Sequence, residues 1–427
     1  MKIIHAHQLG EDFFKNKDIN DISMIRFIIK DVKETGDEAL KRHTIRFDGV
    51  TIQSVKTGSD EIKLAYDKVD KEIIQSMRKA GDNITKFAKR QLQQFTEFEY
   101  EIEPGVIAGQ KVIPIDRVGV YVPGGRYPLV SSLLMCALPA KAAGVKEIVV
   151  CSPPTFNGSI HPSILVAADM VGIQEIYKVG GAQAIAAMAY GTESIKRVDK
   201  IVGPGNRYVT LAKKEVFGAV GIDGIAGPTE IMIIADEHAK VEFIIADLLA
   251  QAEHDADATP ILVTTSILLA EKVKSEIWLK AEDLTTRSIA LKSLENNGII
   301  IIVKNAEQAI EIANKRAPEH LELQVKNIEL YIGKLKNYGT LFVGEFSAEV
   351  LGDYSSGLNH TLPTNLSARY TSGLSVKDFI KLPTTLKVNK TGFLAIGKAA
   401  KDLAILEGLD GHAHSIAVRQ SSIPDMQ

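Results

Sequence analysis

The sequence predicts an α/β protein: two open, mostly parallel sheets with flanking helices, a helical N-terminal segment before them and a small C-terminal tail domain after them. Three observations carry this. From about residue 117, short apolar runs alternate with helix-like stretches, the pattern of parallel strands joined by crossover helices. The alternation comes in two series that meet near residue 230. Glycine or proline closes several of the apolar runs, as a strand-to-helix turn requires.

Taken in order, the first 100 residues read as helices. Tyr66, Val69, Ile73, Met77, Ile84 and Phe87 recur from Ile62 at intervals of three, four or seven, one face of a long helix. Pro104 ends that rhythm. "RVGVYVPGG" (117–125) is a strand ending in a glycine pair, and "KEIVVCSPP" (146–154) is a strand stopped by prolines. "EIYKVGGAQAIAAMAYG" (175–191) and "DKIVGPGNRYVTLAKKEVFG" (199–218) each read as strand, glycine turn and helix. The second series starts at "PTEIMIIAD" (228–236) and continues through "LLAQAEH", "PILVTTS", "GIIIIV", "LEL" and "TLFVGE". The expected domains are 1–120, helical and leading into the first sheet; 121–230, the first sheet with its glycine turns; 231–372, the second sheet; and 373–427, the tail.

Length and charge narrow the function. A chain of 427 residues allows roughly two to four domains and ample core. A net charge of −3 and a pI near 6.4 argue against a nucleic-acid partner or a membrane-attracted face. The longest aliphatic run, Ile299 to Val303, is too short to cross a bilayer, and no signal peptide is expected. Cys136 and Cys151 have no metal-ligand spacing, which suits a reduced, cytoplasmic enzyme.

In open parallel sheets ligands bind at the carboxyl ends of strands, so the polar residues there are the ones to weigh. The turns "PGG" (123–125), "VGGAQ" (179–183) and "VGPGN" (202–206) lack the G-x-G-x-x-G fingerprint. Any one of them is ordinary turn chemistry, yet three on one sheet suggest a Rossmann-like surface where backbone N–H groups meet a phosphate. Tyr121, Gln183 and Asn206 lie at these turns and offer ring or amide contacts. Elsewhere, "LLAQAEHDADA" puts Gln251 and His254 three apart on one helical face, with Glu253 and Asp255 pointing away. "GDYSSGLNHTLP" holds Asp353 and His360 in an expected loop, and "EGLDGHAH" holds Glu407, His412 and His414. Taken separately each is an ordinary polar residue; together, Gln, His, Asp and His without thiolates suit a divalent ion in N/O coordination. "RAPEHLEL" adds Glu319 beside His320, two groups able to move protons near neutral pH.

The blocks "YVPGG", "CSPP", "VGGAQAIAAMAYGT", "VGPGNRYV", "AGPTEIMIIAD", "LLAQAEHD", "RAPEHLEL", "GDYSSGLNHTLPT" and "EGLDGHAHSIAVR" stand in the order found in histidinol dehydrogenases, which the chain resembles from near Tyr121 to Arg419. The resemblance implies a homodimer that oxidises L-histidinol to L-histidine through L-histidinal in two NAD-dependent steps, with one Zn2+ per subunit. It implies metal ligands at Gln251, His254, Asp353 and His412, and proton transfer by Glu319 and His320. It implies NAD contacts at Tyr121, Gln183 and Asn206. Substrate contacts fall on Thr229, Gln251, His254, His320, Asp353, Glu407 and His412. The family often has Ser where Thr229 stands, a change that keeps the hydroxyl. No role for His414 follows.

The chemistry asks for a base on the alcohol, for which His320 suits, and for activation of a water, for which Glu319 suits. Neighbours on a flat strand point to opposite faces, so both reach one substrate only if Pro318 holds a bend. The metal is expected to orient the substrate through its neutral nitrogens. Two alternatives use the same residues differently: a cysteine nucleophile, with Cys151 better placed than Cys136, and a metal-dependent hydrolase with Glu319 activating water.

Overall fold

The structure, a computed structural model, describes residues 1–15, 22–124 and 127–423. Its first sheet has five parallel strands in the order Glu175–Lys178, Glu147–Ser152, Arg117–Tyr121, Lys200–Val202 and Gly221–Ile222. Val118, Val120 and Val122 face helices Lys71–Leu92, Val130–Ala143 and Pro162–Val171. Tyr121, Val149 and Cys151 face helices Ser23–Asp48, Gly181–Tyr190 and Arg207–Val216 on the other side. Cover on both faces is why these strands read as continuous apolar runs rather than alternating ones.

The second sheet has six parallel strands: Lys2–His5, Ile299–Ile302, Thr259–Thr264, Glu230–Ala235, His320–Gln324 and Thr340–Val343. Ile231 and Ile233 pack under helices Val241–Ala252, Ile267–Glu282 and Arg287–Asn296. Met232, Ile234, Leu321 and Leu323 pack against helix Ala306–Arg316. The fold class is as the sequence predicts. Among the described residues no helix is long and apolar enough to cross a membrane.

Four details depart from the sequence reading. The N-terminal span is not wholly helical, because Lys2–His5 forms the outer strand of the second sheet beside Ile299–Ile302. Four residues are too few to show a period. The long helix from Ile62 is two, Ser59–Tyr66 and Lys71–Leu92, broken at the turn 67–70. Asp353 lies on the short helix Glu349–Tyr354, not in a loop. "DGHAHSIAVRQ" forms a helix, Asp410–Ser421, after Gly408 turns the chain at φ +74°.

That helix packs on Lys390–Leu406, and this hairpin meets the rest of the chain chiefly through a small antiparallel sheet of Thr384–Val388, Val106–Gln110 and Phe98–Glu103. Leu394, Leu403, Ile405, Leu406 and Leu409 stay exposed on it, Leu406 at 81%.

Candidate active site

The polar residues of the second sheet gather at its amino edge, not at the carboxyl edge that the strand-end rule predicts. Thr229 immediately precedes the strand Glu230–Ala235, and Glu319 immediately precedes its neighbour His320–Gln324. The expected bend is present, but it starts one residue before the proline. Ala317 adopts the left-handed conformation (φ 48°, ψ 61°) that ends helix Ala306–Arg316, and the chain bends again at Glu319 before the strand begins.

The bend turns both side chains into one buried space. Glu319 accepts hydrogen bonds from the Thr229 hydroxyl at 2.5 Å and the Glu230 amide at 3.0 Å. Gln251, at the end of helix Val241–Ala252, donates to that hydroxyl at 2.7 Å. His320 faces the Glu230 carbonyl through Nδ1 at 3.1 Å, so Nε2 is the nitrogen turned toward Glu349 and Asp353. Nε2 lies 3.4 Å from Glu349 and 3.6 Å from Asp353, and Nδ1 lies 3.8 Å from Glu319.

Burial governs the protonation of this group. It pushes Glu319 up to about 7, against the pull of His320, Thr229 and the Glu230 amide. For His320, burial works downward but the charges of Glu319, Asp353 and Glu349 outweigh it and raise the imidazole to about 10. Asp353 is driven the other way, to about 2, because its contacts with His320 overcome its burial. Burial raises Glu349 to about 8. Acid and base in one pocket thus titrate far from their ordinary values, as proton-transferring groups do.

Three of the four anticipated metal ligands lie on or beside two helices packed against each other. Gln251 lies in the last turn of one helix, His254 in the turn that follows it, and Asp353 on the short helix packed against it. Gln251 is buried with an unpartnered Oε1, and Asp353's charge reaches His254. His254 is exposed to solvent, yet the desolvation of its ring lowers its pKa. A lone buried amide oxygen, a neutral-leaning imidazole and a low-pKa carboxylate fit a divalent ion with N/O ligands. His412 and Glu407 are not among them: both are exposed on the tail hairpin. A group whose ligand atoms lie within 4.8 Å of one another is His320, Glu349 and Asp353, and Glu349 was not anticipated. Its signal was its spacing of four from Asp353, one helical face. His360 follows on a loop, 3.3 Å from the Ser132 hydroxyl in the first turn of helix Val130–Ala143. The second sheet's site therefore meets the first sheet's carboxyl edge.

At that edge Tyr121 is buried, and its hydroxyl, not its ring face, braces the glycine turn by accepting from the Gly181 amide at 3.0 Å. Gln183 is buried with both amide atoms unpartnered. Asn206 caps helix Arg207–Val216 through Oδ1, leaving its amide nitrogen open to a ligand. Gly203 packs so closely on the Tyr121 carbonyl that a Cβ would collide with it. Lys213 and Asp223, missed in the sequence, hold Gly203's carbonyl at 3.0 Å and amide at 2.7 Å. Gly125 of the "PGG" turn lies outside the described residues.

Neither cysteine is a nucleophile. Cys136 and Cys151 are fully buried, and burial raises both thiols, Cys136 to about 12.

Known proteins decide between the remaining readings. A family model of histidinol dehydrogenase matches residues 14–420. The chain belongs to the histidinol dehydrogenase family. It is 47% identical over 417 residues to the histidinol dehydrogenase of Clostridium acetobutylicum, covering 96% of each chain. It is 49% identical over 392 residues to that of Methanocaldococcus jannaschii, covering 92% of this chain and 91% of the other. Among solved structures, histidinol dehydrogenase from Elizabethkingia anophelis superposes with a TM-score of 0.94 at 40% identity, covering 100% of this chain and 99% of that one. The hydrolase reading finds no support among these histidinol dehydrogenases.

Proposed function

We propose that the chain oxidises L-histidinol to L-histidine through L-histidinal with two NAD, the closing steps of histidine biosynthesis. The observation that supports this best is the shared buried space of Glu319 and His320, in contact with Thr229 and Asp353. NAD, when bound, would accept each hydride, and a divalent ion such as Zn2+ would serve to orient the substrate. Gln251, His254 and Asp353 would hold that ion.

His320 takes the alcohol proton at Nε2, with Nδ1 tied to the Glu230 carbonyl. Drawing off Asp353's negative charge would return His320 toward its neutral form, since that charge is part of what keeps it protonated. Glu319 removes a proton from the water that adds to the aldehyde, a task suited to a carboxylate near 7. Thr229 orients Glu319, and Gln251 orients Thr229. Tyr121, Gln183 and Asn206 serve the dinucleotide. Incubation with histidinol and NAD should yield two NADH per histidinol, read by absorbance; none would sink the reading.

We further propose a cytoplasmic homodimer in which Glu407 and His412 enter the partner's pocket. Their exposure, on a hairpin whose apolar side chains are also uncovered, is what supports this. Mixing His412→Asn subunits with His320→Asn subunits should restore up to about a quarter of the parent's activity per total site. No recovery after proven subunit exchange would rule out sharing.

A further inference from the structure

Glu230 is a carboxylate almost wholly buried at the first position of a central strand, and nothing above uses its side chain. Its backbone, however, touches both proton-moving groups. The amide donates to Glu319 at 3.0 Å, and the carbonyl accepts from His320 Nδ1 at 3.1 Å. Its Oε2 is gripped by Arg316 through Nε at 2.9 Å and through Nη2. The third guanidinium nitrogen, Nη1, donates to the Phe13 carbonyl, and the guanidinium lies 5.0 Å from the Phe13 ring centre. Arg316 is the last residue of its helix, immediately before left-handed Ala317, Pro318, Glu319 and His320.

These contacts close a ring. From Glu230's backbone it passes to Glu319 and His320, back along the chain through Pro318 and Ala317 to Arg316, and across to Glu230's carboxylate. A buried ion pair is a poor source of stability, because apolar residues of similar size serve as well or better. A buried pair of this kind points to a requirement for geometry. The left-handed residue before a proline is a conformation the local sequence does not favour, so something must hold it. The fork of Arg316 does so from one side, and the ladder of the sheet from the other.

We propose that Arg316 and Glu230 are positioning residues for the reaction: their ion pair fixes the bend that aims Glu319 and His320 at a common substrate and keeps the His320 proton on Nδ1. This rests on the reading that Glu319 and His320 move protons. The pair acts through Glu319 and His320 rather than on substrate, so removing it should lower turnover and leave binding alone.

The test uses the neutral pair Glu230→Gln with Arg316→Met, which leaves no unpaired charge behind. With the parent active on histidinol and NAD, the double variant should lose about tenfold to a hundredfold in kcat. Its KM for histidinol and its metal content should stay within about twofold, and the pH profile of kcat should shift. Arg316→Lys keeps the charge but cannot make the fork and the Phe13 bond together; kcat should fall severalfold with KM unchanged. A folded double variant with the parent's kcat and pH profile overturns the proposal, as does a parent-like Arg316→Lys if the double variant does not fold. An inactive parent would instead overturn the functional reading.

Discussion

The two sheets share a plan and use it in opposite ways. Counted from its own first strand, each series is laid out 3-2-1-4-5, with Lys2–His5 added at one side of the second. In the first sheet the candidate ligand surface is backbone, built by turns at the carboxyl edge where Gly181 and Gly203 approach Tyr121. In the second it is side chain, built by Thr229, Glu319 and His320 at the amino edge. At the second sheet's carboxyl edge Asp236 instead accepts from the Lys326 amide at 2.8 Å. The rule that ligands choose carboxyl edges fits the proposed dinucleotide surface and not the proposed acid–base site. Strand order therefore does not decide where chemistry sits; it supplies two edges, and the loops decide which is used.

That contrast can be broken by experiment. The largest effect belongs to the amino edge: His320→Asn and Glu319→Gln should each lower kcat by about 10²–10⁴, with the KM for NAD nearly unchanged. A rise in that KM comparable to the kcat loss would merge the two edges into one function. At the carboxyl edge the expected loss is smaller and of the other kind. Gln183→Ala should raise the KM for NAD by about threefold to tenfold, the worth of one hydrogen bond, with kcat on saturating NAD unchanged.

The smallest effect sharpens what the second sheet gives up for its polar layer. His320, Glu322 and Gln324 alternate with Leu321 and Leu323, so one face of that strand is polar and buried. Burial and the neighbouring Asp247 raise Glu322 from its ordinary 4.5 to about 9. Between those values the unfolded chain releases this proton while the folded chain keeps it, so stability falls as pH rises. Glu322→Gln should therefore raise Tm at pH 9, on the order of 2 °C, and raise it less at pH 5. Equal gains at both pH values would show that Glu322 does not carry the dependence.

Much of this was readable in advance, and the misses have physical causes. Both sheets followed from apolar runs of four to six residues bounded by turns. Glu319 and His320 were visible because two titratable groups follow a helix end and a proline. Glu349 was not, since one acid in "SAEVLGD" looks like any surface helix until the fold buries it. The choice of edge was hidden because residues before a strand and residues after one are equally loop-like in sequence. Arg316 and Glu230 lie 86 positions apart, and nothing local announces that they meet.

The outer strand Lys2–His5 has a consequence in time. Its partner, Ile299–Ile302, leaves the ribosome about 300 residues later, on the order of 15–60 s at usual synthesis rates. Throughout that interval the newborn chain carries "KIIH" with no neighbour to zip against, whereas the first sheet has all of its own strands once Ile222 has emerged. The half that holds Glu319 and His320 is therefore the last to be sealed.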